Sequence, residues 1–268
     1  MRFDLPRLAA SNLIARIDFH ETLASTSDRA LALAAEGAAQ LPLLVLAERQ
    51  TAGRGRGANR WWSADGALTF SLVLEAPPEQ LPPDRWPQVA LAAGLAVCEA
   101  LQSLAPAAPM QVKWPNDVYL AGRKVAGILS ESVPGWRDRL VVGMGVNVNN
   151  WVQGSGFGIQ QAEAAALAQI ATALIEHDGL PRDLTAVLLA VLDQFDRRWG
   201  ELLGGSFAPL AKVFRERCFL TGKTVTIEQP GGQALAGRCR GIDDEGALLV
   251  QSLAGEHRVR SGTVIRWE

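Results

Sequence analysis

The stretch Glu48–Gly57 reads ERQTAGRGRG and passes from a strand-like run into a loop in which glycine and arginine alternate. Glycine lets the backbone adopt positive φ and lets a ligand approach the main-chain amides closely. Arginine presents a planar, permanently charged fork that matches carboxylates and phosphates. The stretch therefore predicts a flexible loop that wraps an anionic small molecule. A solvated basic loop and an RNA-contacting arginine tract are the alternatives.

The pattern outside this loop mixes strands and helices, which predicts an α/β fold. We expect strands at 13–19, 43–48, 67–75, 110–114, 118–120, 124–133 and 140–148. Helices are expected at 28–36, 86–104, 159–177 and 182–203. From about residue 218, short strands separated by glycine turns follow at 224–228, 234–243, 247–252 and 257–266. This spacing is typical of a small β-barrel or sandwich.

Length and charge limit the classes of protein that fit. The 268 residues are enough for one large domain and a small one. The formal net charge of −2 provides no global field for a polyanion, so an anionic ligand must be held by a local cluster. Three sparse cysteines predict free thiols in a reducing cytoplasm rather than a disulfide framework. We expect no membrane association, since no signal-peptide-like run and no bilayer-spanning apolar stretch stand out.

A second unusual string, Lys113–Asp117, reads KWPND. It places a cation, an aromatic ring, a rigid break, an amide and a carboxylate in consecutive positions. Pro-Asn-Asp alone is a common turn, but the whole string is rarer. Asn116 can contact a nucleotide, and Asp117 can hold Mg²⁺ through a carboxylate oxygen.

Further candidates lie at strand and helix ends. Lys124 starts a strand, where it can stabilise charge during phosphoryl or acyl chemistry or can simply be a surface lysine. Gly143 and Gly145 interrupt a strand, and such glycines often mark a close approach of the backbone to a ligand. They do not form a dinucleotide-binding fingerprint, because the third glycine is missing. Ser25, or its neighbours Thr26 and Ser27, can cap the first long helix.

Taken in order, the blocks GRGRGANRWWS, KWPND, RKVAGIL and GMGVN resemble those of the biotin protein ligase family, and the resemblance covers nearly the whole chain. It implies a class II synthetase-like catalytic domain over 1–217, built on a mixed β-sheet with helices on one face, and an SH3-like β-barrel over 218–268. It also implies a cytoplasmic ligase that joins biotin to ATP with Mg²⁺, giving biotinyl-5′-AMP and pyrophosphate. Biotin would then pass to one lysine of a biotin carboxyl carrier domain. A lipoate ligase or octanoyltransferase is the nearest enzymatic alternative.

The resemblance also implies roles for individual residues. Lys124 and Arg56 would be catalytic, and Asp117 would bind Mg²⁺. Biotin contacts would come from Ser25, Thr26, Ser27, Gln50, Gly53, Arg54, Gly55, Arg56, Lys124, Gly127, Gly143 and Gly145. Contacts to ATP and the adenylate would come from Arg54, Arg56, Trp61, Lys113, Asn116, Asp117, Lys124 and Asn147.

The chain departs from the family pattern at two positions. Ala58 stands where the family often has glycine, and Ser27 replaces a common asparagine. Some members carry an N-terminal winged helix-turn-helix, but about twenty-four residues precede Ser25 here. We therefore expect no nucleic-acid binding. The identity of the carrier protein is left open, as is a homodimer.

Overall fold

The computed structural model describes residues 2–37, 40–152 and 167–268. Its first seven strands are β1 (Arg16–Leu23), β2 (Leu43–Gln50), β3 (Ala67–Glu75), β4 (Met110–Lys113), β5 (Asp117–Leu120), β6 (Arg123–Ser132) and β7 (Arg139–Asn147). The last five are β8 (Thr224–Glu228), β9 (Ala234–Ile242), β10 (Leu248–Ser252), β11 (Gly255–Val259) and β12 (Thr263–Trp267). The helices are α1 (Leu5–Ala9), α2 (Thr26–Ala35), α3 (Pro87–Leu104), α4 (Leu174–Asp178), α5 (Leu184–Leu203) and α6 (Ala208–Arg217).

The first seven strands form one mixed sheet in the order β1-β2-β3-β7-β6-β5-β4. Its β1–β2 pair is parallel, and the other pairs are antiparallel. A five-stranded antiparallel sheet follows in the order β11-β10-β9-β8-β12. This agrees with the predicted mixed α/β fold followed by a small β module. Closure of that module into a barrel stays a prediction.

Alternation along β3 explains how the large sheet is covered. Leu68, Phe70 and Leu72 are buried in the main core with α3 and α5. The intervening residues face the other side, because successive side chains of a strand point to opposite faces. There, Val73 packs in a smaller cluster that includes Ala30 and Leu33 of α2. The principal helices thus lie on one face, as predicted, and α2 covers part of the opposite face.

The C-terminal sheet shares the core of the large sheet. Buried apolar residues of β8 and β10 belong to the same cluster as those of β3 and α3. The indole Nε1 of Trp114 donates to the carbonyl of Gly246 at 3.1 Å. A backbone hydrogen bond from Phe219 to Val112 adds a second link at 2.8 Å. The chain therefore changes sheet after α6 without a break in packing.

Several predicted elements differ from the observed ones. The strand expected at 257–266 is divided into β11 and β12, because Gly262 has a φ of +155° and a Cβ there would lie 2.8 Å from the Glu228 carbonyl oxygen. The helix expected at 159–177 begins outside the described residues, and its described part is interrupted before α4. The strand expected at 13–19 starts later, at Arg16. Helices α1 and α6 were not expected.

Within the described ranges, α3 is the one helix long and apolar enough to cross a membrane by composition, and 67% of it is buried inside the fold. The cysteines Cys98, Cys218 and Cys239 are free and buried, as their number predicted.

Candidate active site

A cleft of about 140 Å³ lies on the face of the large sheet that α2 partly covers. Its walls come from the start of α2, the loop after β2, the β4–β5 turn, strands β6 and β7, and the start of β12. Most of the predicted site residues line it: Thr26, Ser27, Gln50, Arg54, Gly55, Arg56, Trp61, Lys113, Asn116, Asp117, Lys124, Gly127, Gly143 and Gly145.

Paired glycines form the floor of the cleft. Gly127 of β6 and Gly145 of β7 are cross-strand partners, and the indole of Trp61 lies over both. A Cβ on Gly145 would lie 2.3 Å from that ring, and one on Gly143 would lie 2.4 Å from Ser27 Oγ. The close approach predicted from these glycines is thus present, and this chain's own side chains make it.

Hydroxyl groups form the polar wall beside this floor. Ser71 Oγ on β3 donates to Thr26 Oγ1 at 2.9 Å and lies 3.2 Å from Ser27 Oγ. Gln50 Oε1 accepts from the Thr26 backbone N–H at 2.6 Å. Ser71 is buried and was not predicted as a site residue. Its signal was the pair of hydroxyls, Thr69 and Ser71, within an otherwise apolar stretch of β3.

The glycine-rich loop is a small hairpin. Trp61 N donates to Gly53 O at 2.9 Å, and Gly55 N donates to Asn59 O at 2.8 Å. Gly53 is required because a Cβ there would lie 2.6 Å from the Trp61 carbonyl oxygen. The turn has its positive φ at Gly57, +60°, and Ala58 is not among the positive-φ residues. Alanine at 58 therefore fits this hairpin without backbone strain.

Arg54 anchors the hairpin to the protein. Its guanidinium makes a bidentate pair with Glu131 at 2.9 and 2.7 Å, and its Nε lies 2.7 Å from Asp28 Oδ1. The hydrogen bond to Glu131 is the main cause that raises the pKa of Arg54. Two carboxylates thus compensate this charge, although the sequence prediction had Arg54 facing the ligand.

Arg56 reaches into the cleft instead. Its guanidinium donates to Asn116 Oδ1 at 3.3 Å and to the Gly262 carbonyl oxygen at 3.0 Å. Burial lowers the pKa of Arg56, and the nearby Asp117 carboxylate raises it. In the part of the chain that the structure describes, Arg56 has no ion-pair partner, so its charge is free for a ligand.

Asp117 lies among three cations. Lys124 Nζ is 2.6 Å from Asp117 Oδ1, and Lys113 Nζ is 4.0 Å from Oδ2. Burial lowers the pKa of Lys113, Asp117 raises it, and Lys124 and Arg56 lower it further. Asp117 Oδ1 is buried, and the Lys124 ammonium is its partner among the described residues. One carboxylate against three cations leaves a positive site that suits an anion.

Three predicted residues lie beside the cleft rather than in its lining. Ser25 caps α2, because its hydroxyl accepts a hydrogen bond from Asp28 N at 3.3 Å. This is the helix-capping role that the sequence offered as the alternative to a ligand contact. Gly53 lines a neighbouring cavity on the outer side of the hairpin. Asn147 is buried, with its amide donating to Thr172 O at 3.0 Å.

Other lining residues were not predicted: Asn59, Arg60, Pro115, Ile128, Leu129, Met144, Thr263 and Val264. Those on the hairpin and on β6 and β7 adjoin predicted positions. Thr263 and Val264 arrive from the C-terminal sheet, and no local pattern signals a contact between segments so far apart in the chain.

Comparisons with known proteins agree with this architecture. Residues 20–149 match the biotin/lipoate A/B protein ligase family, and residues 220–267 match the biotin protein ligase C-terminal domain. The biotin–[acetyl-CoA-carboxylase] ligase of Mycobacterium tuberculosis is 32% identical over 252 residues, covering 93% of this chain and 88% of that protein. The bifunctional ligase/repressor BirA of Bacillus subtilis is 31% identical over 250 residues, covering 92% of this chain and 72% of that protein.

A solved structure of the Aquifex aeolicus biotin protein ligase, in complex with biotin and ATP, superposes with a TM-score of 0.78 at 29% identity. It covers 94% of this chain and 97% of the Aquifex chain. The matches extend over both sheets and over the cleft between the hairpin and the large sheet. The chain belongs to the biotin protein ligase family.

Proposed function

We propose that this protein is a biotin–[acetyl-CoA-carboxylase] ligase that activates biotin with ATP and transfers it to a lysine of a biotin carboxyl carrier domain. One observation carries the proposal: Arg56, Lys113 and Lys124 converge on a half-enclosed cleft beside Asp117. Such a site suits a reaction in which two anions must meet. The relatives with this fold are named as biotin ligases, which favours biotin over lipoate or octanoate.

The first step joins two negatively charged groups. A carboxylate oxygen of biotin attacks the α-phosphorus of ATP, an oxygen–phosphorus bond forms, and pyrophosphate leaves. Arg56 and Lys124 offset the repulsion between the carboxylate and the α-phosphate, while Lys113 holds the outer phosphates. Charge-assisted hydrogen bonds contribute about 1.5–3 kcal/mol each. Losing one of these cations would therefore slow the step by roughly 10- to 100-fold.

The biotin ring is proposed to lie against the polar wall of the cleft. Thr26, Ser27 and Gln50 offer donors and acceptors to the ureido group, and Leu129 and Met144 offer apolar contact. The indole of Trp61 occupies the glycine floor, with its buried Nε1 lacking a partner among the described residues. An unpaired buried N–H costs about 1–3 kcal/mol. We propose that the indole leaves this floor when biotin enters and then packs near the adenine.

The second step transfers the biotinyl group. The neutral amine of the carrier lysine attacks the carbonyl carbon of the mixed anhydride, the bond to the phosphate oxygen breaks, AMP leaves, and the amine proton is released. Water would destroy the anhydride, so the hairpin must stay closed until the carrier arrives. The anchor at Arg54 and the inward reach of Arg56 support a covering role for residues 53–61.

The residues around Asp117 fit a Mg²⁺ ion. The buried Oδ1 of Asp117 lies 2.6 Å from Lys124 Nζ, while its Oδ2 lies 4.0 Å from Lys113 Nζ, beyond hydrogen-bond distance, so Oδ2 is the oxygen that would hold the ion. Magnesium is commonly held by one or two carboxylates together with substrate phosphates and waters. The described residues include no cluster of three His, Cys, Asp or Glu side chains, so phosphates and waters would complete the shell. When bound, the ion would offset charge on the departing pyrophosphate.

The positions of Arg54 and Arg56 argue against the RNA-binding alternative. An arginine tract for RNA would present its guanidinium groups outward. Here Arg54 is paired with Glu131 and Asp28, and Arg56 points into the cleft. We propose no nucleic-acid partner.

We also propose a catalytic unit over 1–217 and a C-terminal unit over 218–268. We propose a cytoplasmic location, which the three free thiols support.

Biotin-dependent exchange of labelled pyrophosphate into ATP tests the proposal. With Mg²⁺ present, we expect exchange that requires biotin and that neither lipoate nor octanoate supports. Absence of exchange with biotin would overturn the proposal. Exchange that depends on lipoate, together with indifference to biotin, would establish the lipoate ligase alternative.

A further inference from the structure

Three aromatic rings from distant parts of the chain meet beside the cleft. Tyr119 of β5, Phe219 of the segment after α6, and Trp267 of β12 form this aromatic cluster. Ring centroids are 4.6 Å apart for Tyr119 and Phe219, and 6.1 Å apart for Phe219 and Trp267. The cluster therefore packs the last strand of the C-terminal sheet against the end of the large sheet that holds Asp117.

Lys113 lies on this cluster with its ammonium group over an indole face. Its Nζ is 4.4 Å from the Trp267 ring centroid and 5.8 Å from that of Tyr119. The nearest carboxylate oxygen, Asp117 Oδ2, is 4.0 Å away, which is beyond hydrogen-bond distance. The Lys113 side chain is only 8% exposed. The indole is thus a principal partner of a buried cation.

Such a partner suits a lysine that must bind phosphate. Lys124 and Arg56 repel the Lys113 charge, and burial removes most of its water. An aromatic face attracts the ammonium through the ring quadrupole without offering it a lone-pair acceptor. The aromatic face therefore favours the charged form of the ammonium and holds it in place, while its N–H donors stay available for phosphate oxygens. A carboxylate at the same position would compete with the phosphate for those donors.

We propose that Trp267 is a positioning residue for ATP binding, acting through Lys113. The inference rests on the proposed ligase function, because Lys113 is there assigned to the outer phosphates of ATP. It gives the C-terminal sheet a direct part in nucleotide affinity. Trp267 contacts the Lys113 ammonium and is not among the residues that line the cleft, so removing it should weaken ATP binding and leave biotin binding intact.

The test measures equilibrium binding by isothermal titration calorimetry. The nucleotide is α,β-methylene-ATP, in which adenylation cannot break the bond to the leaving group, and biotin is titrated separately. We expect Trp267→Leu to raise the Kd for the nucleotide by roughly 3- to 30-fold. The Kd for biotin should change less than twofold. Trp267→Phe, which keeps an aromatic face, should recover most of the affinity.

Two further variants separate positioning from simple support of the fold. In a Lys113→Met background, Trp267→Leu should cause no additional loss of nucleotide affinity, because the partner is already absent. Ile265→Ala alters an exposed side chain on the same strand and should leave both affinities unchanged. If Trp267→Leu weakens nucleotide and biotin equally, or if Phe fails to restore nucleotide affinity, the inference is overturned.

If Trp267→Leu does not fold, Trp267→Phe keeps the test decisive, because its weaker aromatic face should raise the Kd for the nucleotide slightly and leave the Kd for biotin unchanged, and an equal loss of both affinities would overturn the inference. Unchanged nucleotide affinity in Trp267→Leu would also overturn the inference. Failure of the ligase proposal is seen separately, as wild-type protein that binds the nucleotide but shows no biotin-dependent pyrophosphate exchange.

Discussion

Arg56 on the hairpin donates to the Gly262 carbonyl oxygen on the C-terminal sheet at 3.0 Å. This contact joins the cover of the cleft to the turn between β11 and β12. The same guanidinium contacts Asn116 in the KWPND string. A single side chain thus connects three segments that are far apart in sequence. Its carbonyl and amide partners are neutral, so a phosphate or carboxylate can replace them with stronger charge-assisted hydrogen bonds.

Replacing Arg56 with glycine should make the enzyme release biotinyl-5′-AMP. The hairpin would lose its contacts to Asn116 and Gly262, together with the cation that we propose contacts the adenylate. We expect free biotinyl-AMP in the filtrate of a reaction without carrier, measured by chromatography. Arg240→Gly, an exposed arginine on β9, is the control and should retain the adenylate. Wild-type retention by Arg56→Gly would show that the hairpin does not act as a cover.

Lys124→Ala should slow adenylate formation by roughly 10- to 100-fold, because one charge-assisted contact is lost. The measurement is biotin-dependent pyrophosphate exchange at saturating substrates. The melting temperature should stay close to that of the wild type, since the Lys124 side chain is 33% exposed. Lys212→Ala on the exposed side of α6 should leave exchange unchanged. Undiminished exchange in a folded Lys124→Ala protein would remove Lys124 from the reaction.

Biotin should change the environment of Trp61. The indole covers Gly127 and Gly145 in this structure, and we propose that it moves when biotin takes that floor. The difference in emission between wild type and Trp61→Phe isolates this tryptophan from the other seven. We expect the difference spectrum to shift on titration with biotin, with half of the change reached at a free biotin concentration equal to the Kd. A spectrum that biotin leaves unaltered would show that the ring keeps its place.

Alkaline pH should weaken ATP binding through Lys113. Burial lowers the pKa of Lys113 below its ordinary value of 10.5, and the charges that face it are Asp117, Lys124 and Arg56. Affinity should therefore fall as pH rises through that lowered pKa. In this window the unfolded chain binds a proton that the folded chain has lost, so folding stability through Lys113 rises with pH.

The contribution of Lys113 to folding stability thus does not account for the loss of affinity that we expect, and the melting temperature measured at each pH checks that the protein stays folded. Lys113→Arg keeps its charge at this pH and should extend ATP binding to higher pH, as measured by calorimetry across a pH series. Identical alkaline limits for the two proteins would show that another group controls the profile.

Ser71→Ala should weaken biotin binding although Ser71 is not in the cleft lining. Its hydroxyl orients Thr26 and Ser27, which face the cleft. Loss of one ordinary hydrogen bond, about 1 kcal/mol, predicts a roughly fivefold higher Kd for biotin. Thr69→Val is the control. It removes a hydroxyl from the same face of β3, two residues before Ser71, where Thr69 Oγ1 donates to Ala47 O. Equal effects of both variants on biotin affinity would contradict the orienting role of Ser71.

The local sequence was sufficient to predict those features of the fold and of the cleft that depend on neighbouring residues. The bounds of β3 are those expected, because its apolar run is long and uninterrupted by breakers. The glycines at 143 and 145 were expected to mark close approach of a ligand; in the structure Ser27 and Trp61 make the close approach, and a ligand contact there stays a prediction. Of the fourteen predicted residues that line the cleft, eleven lie in the four ordered motifs, and for this reason they could be named.

Features that depend on contacts between residues far apart in the chain could not be predicted from local sequence patterns. The pairing of Arg54 on the hairpin with Glu131 near the end of β6 connects two segments that no local pattern relates. The entry of Thr263 and Val264 into the cleft depends on how the second sheet docks. The division of the last predicted strand depends on the Glu228 backbone next to Gly262. In each case the deciding partner is remote in the chain.

The continuous core of the two sheets has a consequence for cooperativity. Because β8 and β10 contribute to the same apolar cluster as β3 and α3, neither sheet completes its core alone. A chain stopped after α6 would expose that shared surface to water rather than yield a smaller enzyme. Substitutions at the junction should therefore shift a single unfolding transition of the whole protein. A change of side-chain volume in one sheet would require a complementary change in the other.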